Sequence, residues 1–137
     1  MLNFTGISIA NKYNRMWLAR HWGFKGFQAI AKGVFCPRGG GQIILFATHE
    51  KRAGEENYKN YIRNGQLHWN GEKGHRSDER IANAKRNGED IHLFYRDLHR
   101  DDFEYFGLLK LLVSKPLTHG PSEFVFKIVG EAKARNL

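Results

Sequence analysis

Ile91-His92-Leu93-Phe94-Tyr95-Arg96, followed after a charged break by Phe103-Glu104-Tyr105-Phe106-Gly107, is the stretch around which the rest of the chain arranges itself. Apolar and polar side chains alternate around His92, Phe94 and Arg96, and aromatic rings crowd both runs. That is the pattern of two half-buried antiparallel strands. The break, Asp97-Leu98-His99-Arg100-Asp101-Asp102, is polar enough for a hairpin loop. Gly107 falls where the second strand can bulge, or bend against a neighbouring backbone. The expectation is a ribbon at the middle of a small barrel, with apolar side chains inside and Arg96 outside.

Towards the C-terminus, Leu108 to Val113 extends the second strand, and Glu123 to Val129 alternates into a last one after a Pro- and Gly-containing loop. Upstream, Ser77 opens a helix from Asp78 to Asn87, with acids in its first turn, bases in its last and Gly88 closing it. Gln66 to Gly71 reads as a brief strand ending in a turn, and Glu55 to Arg63 as a short helix carrying Tyr58, Tyr61 and Ile62. Ile43 to Thr48 is a buried strand, and Phe27 to Cys36 a strand bulged at Gly33. Tyr13, Trp17 and Leu18 have helical spacing within Asn11 to His21, where Asn11 or Asn14 can cap. Phe4 to Ile9 is a short edge strand. With about six strands and two or three flanking helices, the fold class is α+β, built on a curled, mainly antiparallel sheet or barrel.

A length of 137 residues predicts one domain, placed at 1–130, with 131–137 a frayed tail or a linker to a further domain. An apolar content of 41% and an aromatic content of 13% exclude a disordered chain. No apolar run approaches the roughly 18 residues of a membrane span, and Met1 to Gly6 lacks the order of a signal peptide. The single cysteine, Cys36, excludes an internal disulfide and fits a reducing compartment, so a cytoplasmic location is expected.

The formal charge of +8 is unevenly spread. From Met1 to His49 there is no acidic residue, while Lys12, Arg15, Arg20, Lys25, Lys32 and Arg38 are all cationic. The rest of the chain is close to balance. Such a one-signed segment sets up a directional field, and nucleic acid is the polyanion it suits. Lys12, Arg15 and Arg20 would lie off the apolar stripe of the first helix, free to meet phosphates.

Catalytic signals are incomplete. The loop Pro37 to Gln42 holds three consecutive glycines but lacks the phosphate-loop order, and a strand follows it. His68 and His75, like His92 and His99, are separated by six residues, which suits no common zinc site, and Cys36 has no partner cysteine. No metal or other cofactor is expected. A nuclease would need clustered carboxylates to hold a divalent ion; Asp101, Asp102 and Glu104 are the nearest approach. Recognition chemistry is better supplied: Trp22, Tyr58, Tyr61, Trp69 and Tyr95 are interleaved with Arg63, Arg76, Arg80 and Arg96. Flat rings stack on an extruded base, and Asp or Asn side chains pair with its edge. Among them Trp69 stands out, because His68, Asn70, Gly71 and Glu72 around it are polar.

Leu67-His68-Trp69-Asn70, a polar insertion, Arg80-Ile81, then His92-Leu93-Phe94-Tyr95-Arg96 and Phe103 to Gly107 resemble a domain of bacterial restriction enzymes that attack methylated DNA. That domain is similar to the SRA and PUA-like folds, curled sheets which in SRA flip out and read 5-methylcytosine. The resemblance covers about Ile43 to Gly107. It implies that Trp69, Arg80 and Arg96 line a reading cleft. From these residues and the resemblance together, the expectation is a non-enzymatic module that binds double-stranded DNA and recognises a modified base, 5-methylcytosine or a derivative. Trp69 or Tyr95 would stack, while Asp78, Asn70 and His68 meet the base. Lys12, Arg15, Arg20, Arg38, Arg76, Arg80 and Arg96 would hold phosphates. Cleavage would come from a nuclease domain or subunit. The alternatives are a small metal-dependent nuclease built on Asp101, Asp102 and Glu104, or a PUA-like RNA-binding module.

Overall fold

The computed structural model describes residues 2–49, 60–72 and 74–131. Its strands are Lys12–Tyr13 (β1), Val34–Phe35 (β2), Gln42–Thr48 (β3), Tyr61–Arg63 (β4), Gln66–Asn70 (β5), Asp90–Arg96 (β6), Phe103–Lys115 (β7) and Glu123–Gly130 (β8). Two α-helices, Arg15–His21 (α1) and Asp78–Ala82 (α2), and a 3₁₀ turn at Phe27–Ile30 complete the described elements. The strands form one mixed sheet in the order β2-β3-β6-β7-β8-β5-β4, with β1 on the flank of β7. The sheet is open: its path ends at β2 and at β4.

The central ribbon forms as its pattern requires. β6 and β7 pair antiparallel, with Leu93 opposite Gly107 and the register slipping just after it. Gly107 sits at φ +83°, and a Cβ there would lie 2.5 Å from the Gly130 carbonyl oxygen. The neighbouring backbone that excludes a side chain is therefore the end of β8, folded back onto β7 by the curl of the sheet.

One pairing departs from an antiparallel sheet. β3 and β6 run parallel, from Gln42 opposite Asp90 to Thr48 opposite Arg96. Parallel neighbours need a long crossover, and the intervening chain contributes β4, β5 and α2. Both strands are buried along nearly their whole length, as central parallel strands are. The alternation in β6 thus sorts side chains between two cores rather than between core and solvent. Ile91, Leu93 and Tyr95 join Ile43, Leu45, Leu67, Trp69, Ile81, Phe124 and Phe126 on one face. Phe94 joins Leu18, Ile30, Ile44, Phe46, Phe103 and Tyr105 on the other. Each fully buried Leu, Ile or Phe contributes about 1.5–3 kcal/mol. Arg96, expected outside, is half-buried for the same reason.

The local differences have local causes. α1 starts only at Arg15, because the Asn14 side chain accepts from the Trp17 N–H at 2.7 Å, leaving Lys12 and Tyr13 to pair with the start of β7. Residues 4–9 form turns, not an edge strand, and Ile7 donates back to the Phe4 carbonyl. Within Phe27 to Cys36 only Val34 and Phe35 are strand. α2 stops at Ala82 and turns carry the chain to Gly88 (φ +70°), so the helix is half the expected length. Tyr61 to Arg63, expected in a helix, is strand because Asn64 and Gly65, at φ 52° and 74°, make a two-residue hairpin into β5. Residues 55–59 of that expected helix, with Tyr58, and residues 132–137 of the expected tail lie outside the described residues.

Candidate nucleic-acid interface

A cleft of about 450 Å³ opens at the end of β5. Trp69, Asn70, Gly71, Glu72, Gly74 and Arg76 bound it on one side; Lys32, Gly33, Phe46 and Asn60 complete the wall. Trp69 is only 3% exposed, its ring tilted against Phe124 at 5.7 Å and edge-on to Phe126 at 6.4 Å between centroids. It is a core ring that also reaches the cleft wall. The Asn70 backbone N–H donates to Asn60 Oδ1 at 3.1 Å, which ties the start of β4 to the rim.

The loop after β5 is held closely. Gly71 donates its N–H to the Ser122 carbonyl at 2.9 Å, and a Cβ at Gly71 would meet Asp78 Oδ1 at 2.7 Å. His75, at φ +57°, places Nδ1 2.7 Å from Asp78 Oδ2 and 3.2 Å from Ser122 Oγ. Ser77 donates its hydroxyl to Glu72 at 3.0 Å. Asp78 therefore lies beneath the loop, between α2 and Gly71, and braces the cleft wall from behind.

The seven proposed phosphate contacts divide in two. Lys12, Arg20, Arg38 and Arg76 are exposed and form no ion pair among the described residues; Arg76 stands on the cleft wall. The other three are built into the fold. The Arg15 guanidinium lies 5.0 Å from the Phe46 ring centre and 4.8 Å from that of Phe103, with Nε donating to the Ile30 carbonyl at 3.0 Å. Burial, assisted by the nearby Arg96 charge, pushes it down to about 10, so it stays charged at neutral pH. Arg96 covers Phe103 at 4.2 Å and donates from Nε to Thr48 Oγ1 at 2.9 Å. Arg80 pairs with Glu89 at 2.5 Å, and Glu89 also accepts from the Gly41 N–H at 3.1 Å, fastening α2 to the glycine loop.

Of the five proposed base contacts, the structure brings Trp69 and Asn70 to this cleft. Tyr95 is buried in the first core, its hydroxyl 3.2 Å from His49 Nδ1, and burial, then Asp97, pushes its phenol up. His68 points from the opposite side of β5, parallel to Tyr61 with 4.5 Å between ring centres. It lines a second cleft of about 610 Å³ with Tyr61, Leu117, His119, Pro121 and Glu123; Trp69 and Asn70 bound both clefts. Lys32, Asn60 and Glu72 also line the first cleft, though neither charge nor ring pattern in the sequence marks them as site residues. Asn64-Gly65 between Tyr61-Ile62 and Leu67-His68 was the available signal, since that hairpin sets Asn60 beside Asn70.

Asp101 and Asp102 are exposed in the β6–β7 turn, and Glu104 is part of β7. Among the described residues no group of three or more His, Cys, Asp and Glu side chains is placed to hold a metal ion, and no helix is long and apolar enough to cross a membrane.

No protein-family model matches the sequence, and no curated protein matches it. The fold is SRA-like. The chain is similar to the SRA domain of SUVH5, solved with fully methylated CG DNA, at a TM-score of 0.60 and 14% identity over 93% of this chain and 92% of that one. It is also similar to the DNA-recognition domain of the cytosine modification-dependent restriction endonuclease LpnPI (TM-score 0.46, 14% identity, 76% of this chain and 62% of that one). A third likeness is to the DNA modification-dependent restriction endonuclease AspBHI (TM-score 0.43, 15% identity), of which the chain spans 32%.

Proposed function

We propose that this protein is a DNA-binding module that reads a modified base, 5-methylcytosine or a derivative, extruded from the duplex into the cleft beside Trp69. The observation that carries the reading is the cleft itself: an aromatic wall, amide groups from Asn60 and Asn70, and cations from Lys32 and Arg76 converge on one opening in an SRA-like fold. Amides and backbone groups can pair with a base edge, a ring can stack on its face, and the cations meet flanking phosphates. Exposed Lys12, Arg20 and Arg38 would extend the phosphate track. Within a modification-dependent restriction system the module supplies specificity, and a nuclease domain or subunit supplies cleavage.

The test is fluorescence-polarisation binding to one duplex in four versions: unmodified, 5-methylcytosine, 5-hydroxymethylcytosine and N6-methyladenine, each at two salt concentrations. The expected result is a preference for one cytosine-modified duplex that survives the higher salt, since phosphate contacts weaken steeply with salt and cannot tell the four apart. Trp69→Phe, which keeps the core filled, should reduce that preference while overall binding persists. Equal binding to all four that vanishes with salt would overturn base readout.

A further inference from the structure

The outer face of β7, β8, β5 and β4 turns away from both cores, and its cross-strand rows are chemically sorted. Lys110 lies opposite Lys127, Lys127 opposite Gln66, and Gln66 opposite Arg63. These three cations are exposed, and none forms an ion pair among the described residues. The next row runs from Val113 to Val125, His68 and Tyr61. The row after that is charge-balanced, Lys115 standing 4.0 Å from Glu123. Like charges placed directly opposite each other on adjacent strands are unfavourable without an anion between them. Neighbouring strands are about 4.8 Å apart and residues two apart on a strand about 6.6 Å, so the cation row spans roughly 14 Å and runs about 7 Å from the ring row.

From this arrangement we infer that the outer face is a second nucleic-acid site, one that takes a single-stranded segment. Phosphates lie along Lys110, Lys127 and Arg63, and a base stacks on the Tyr61–His68 pair. The pair is nearly coplanar in orientation, 6° between ring planes, half-exposed, and opens onto the second cleft. A cationic track beside a flat ring platform is the combination by which proteins hold unpaired strands without reading sequence. A duplex keeps its bases stacked inside and offers nothing to this platform. An acidic peptide fits the cations but leaves the rings unused. The site goes beyond the modified-base reading, because His68 and Trp69 face opposite sides of β5.

The experiment uses the whole chain and a fluorescein-labelled single-stranded 12-nucleotide DNA, with the same strand annealed into a duplex and an oligoglutamate peptide as comparisons. Tyr61→Ala should weaken single-strand binding about tenfold, the scale of one stacked base, and Tyr61→Phe should restore it. Lys110→Ala with Lys127→Ala should flatten the salt dependence by a log–log slope of roughly 1.4. Tyr61→Ala should leave the preference among the four duplexes unchanged, so the single-strand result and the duplex result fail independently. Single-strand binding indifferent to Tyr61 and to both lysines overturns the site, as does the absence of single-strand binding. Equally tight oligoglutamate binding, insensitive to Tyr61→Ala, would make the face a plain anion surface and overturn it as well.

Discussion

His68 and Trp69 adjoin on one short strand and serve opposite faces of the sheet. Trp69 turns inward onto Phe124 and Phe126 and reaches the first cleft only from within the core. His68 turns outward and stacks on Tyr61 at the surface. The cations divide by burial instead: Arg15 and Arg96 lie over Phe103 in the second core, while Arg76 at the first cleft and Lys110 and Lys127 on the outer face stay exposed. A ring or charge packed into a core is already held by the fold, and Trp69 offers a ligand only the part that reaches the cleft wall. On the outer face a ring or charge is available.

The division is broken most directly by truncating the two neighbours. Trp69→Ala should cost about 3–5 kcal/mol in urea unfolding, the range for emptying a buried aromatic site, whereas His68→Ala should stay within about 1 kcal/mol. Equal losses would mean that β5 does not separate two environments. It follows that Trp69→Ala is a poor probe of DNA reading, because binding would fall with the fold.

Gly107→Ala should be the next largest, on the order of 2–3 kcal/mol by the same measurement, since a positive φ and a clash with the Gly130 backbone act together. Gly65→Ala, at φ +74° with open space around it, should cost about 1 kcal/mol from backbone conformation alone.

Alkaline titration sharpens the inner side. Burial, with Asp90 adding to it, pushes the Tyr105 phenol well above its ordinary 10.0, and Tyr95 is shifted the same way by burial, then Asp97. The unfolded chain loses these protons first, so their contribution to stability is intact below about pH 10 and is lost as pH rises beyond it. Phenolate absorbance should show Tyr95 and Tyr105 ionising late, and Tyr105→Phe should remove its share of that late signal. Ordinary ionisation of all tyrosines would contradict the buried placement.

The smallest effect separates the arginines. Arg76→Ala should change stability by less than about 0.5 kcal/mol while lowering the salt slope of duplex binding by about 1. Arg15→Ala should do the reverse, costing roughly 1–3 kcal/mol through a lost buried hydrogen bond and ring contact, with no separate effect on the salt slope.

Much of the fold was legible. The β6–β7 ribbon, the bend at Gly107, the long second strand and the last strand follow from alternation and a glycine at one position, which are local signals. The exposed Lys12, Arg20, Arg38 and Arg76 follow from charge. Tyr61 to Arg63 is strand and not part of a helix from Glu55, because the Asn64-Gly65 hairpin outweighs a loose apolar spacing. The partners of Arg15, Arg80 and Arg96 were not legible, since most belong to other elements: Ile30, Phe46 and Phe103 for Arg15, Glu89 for Arg80, and Thr48 and Phe103 for Arg96.

By itself the sequence determined the strand-rich α+β character, the central ribbon and the one-signed N-terminal field, because period, turn chemistry and charge are properties of neighbouring residues. Tertiary structure alone decided that β6 is buried on both faces, that β3 lies parallel to it and which side of β5 a core covers. Those outcomes depend on which elements cover each side of the sheet, and covering is settled by packing between residues far apart in the chain.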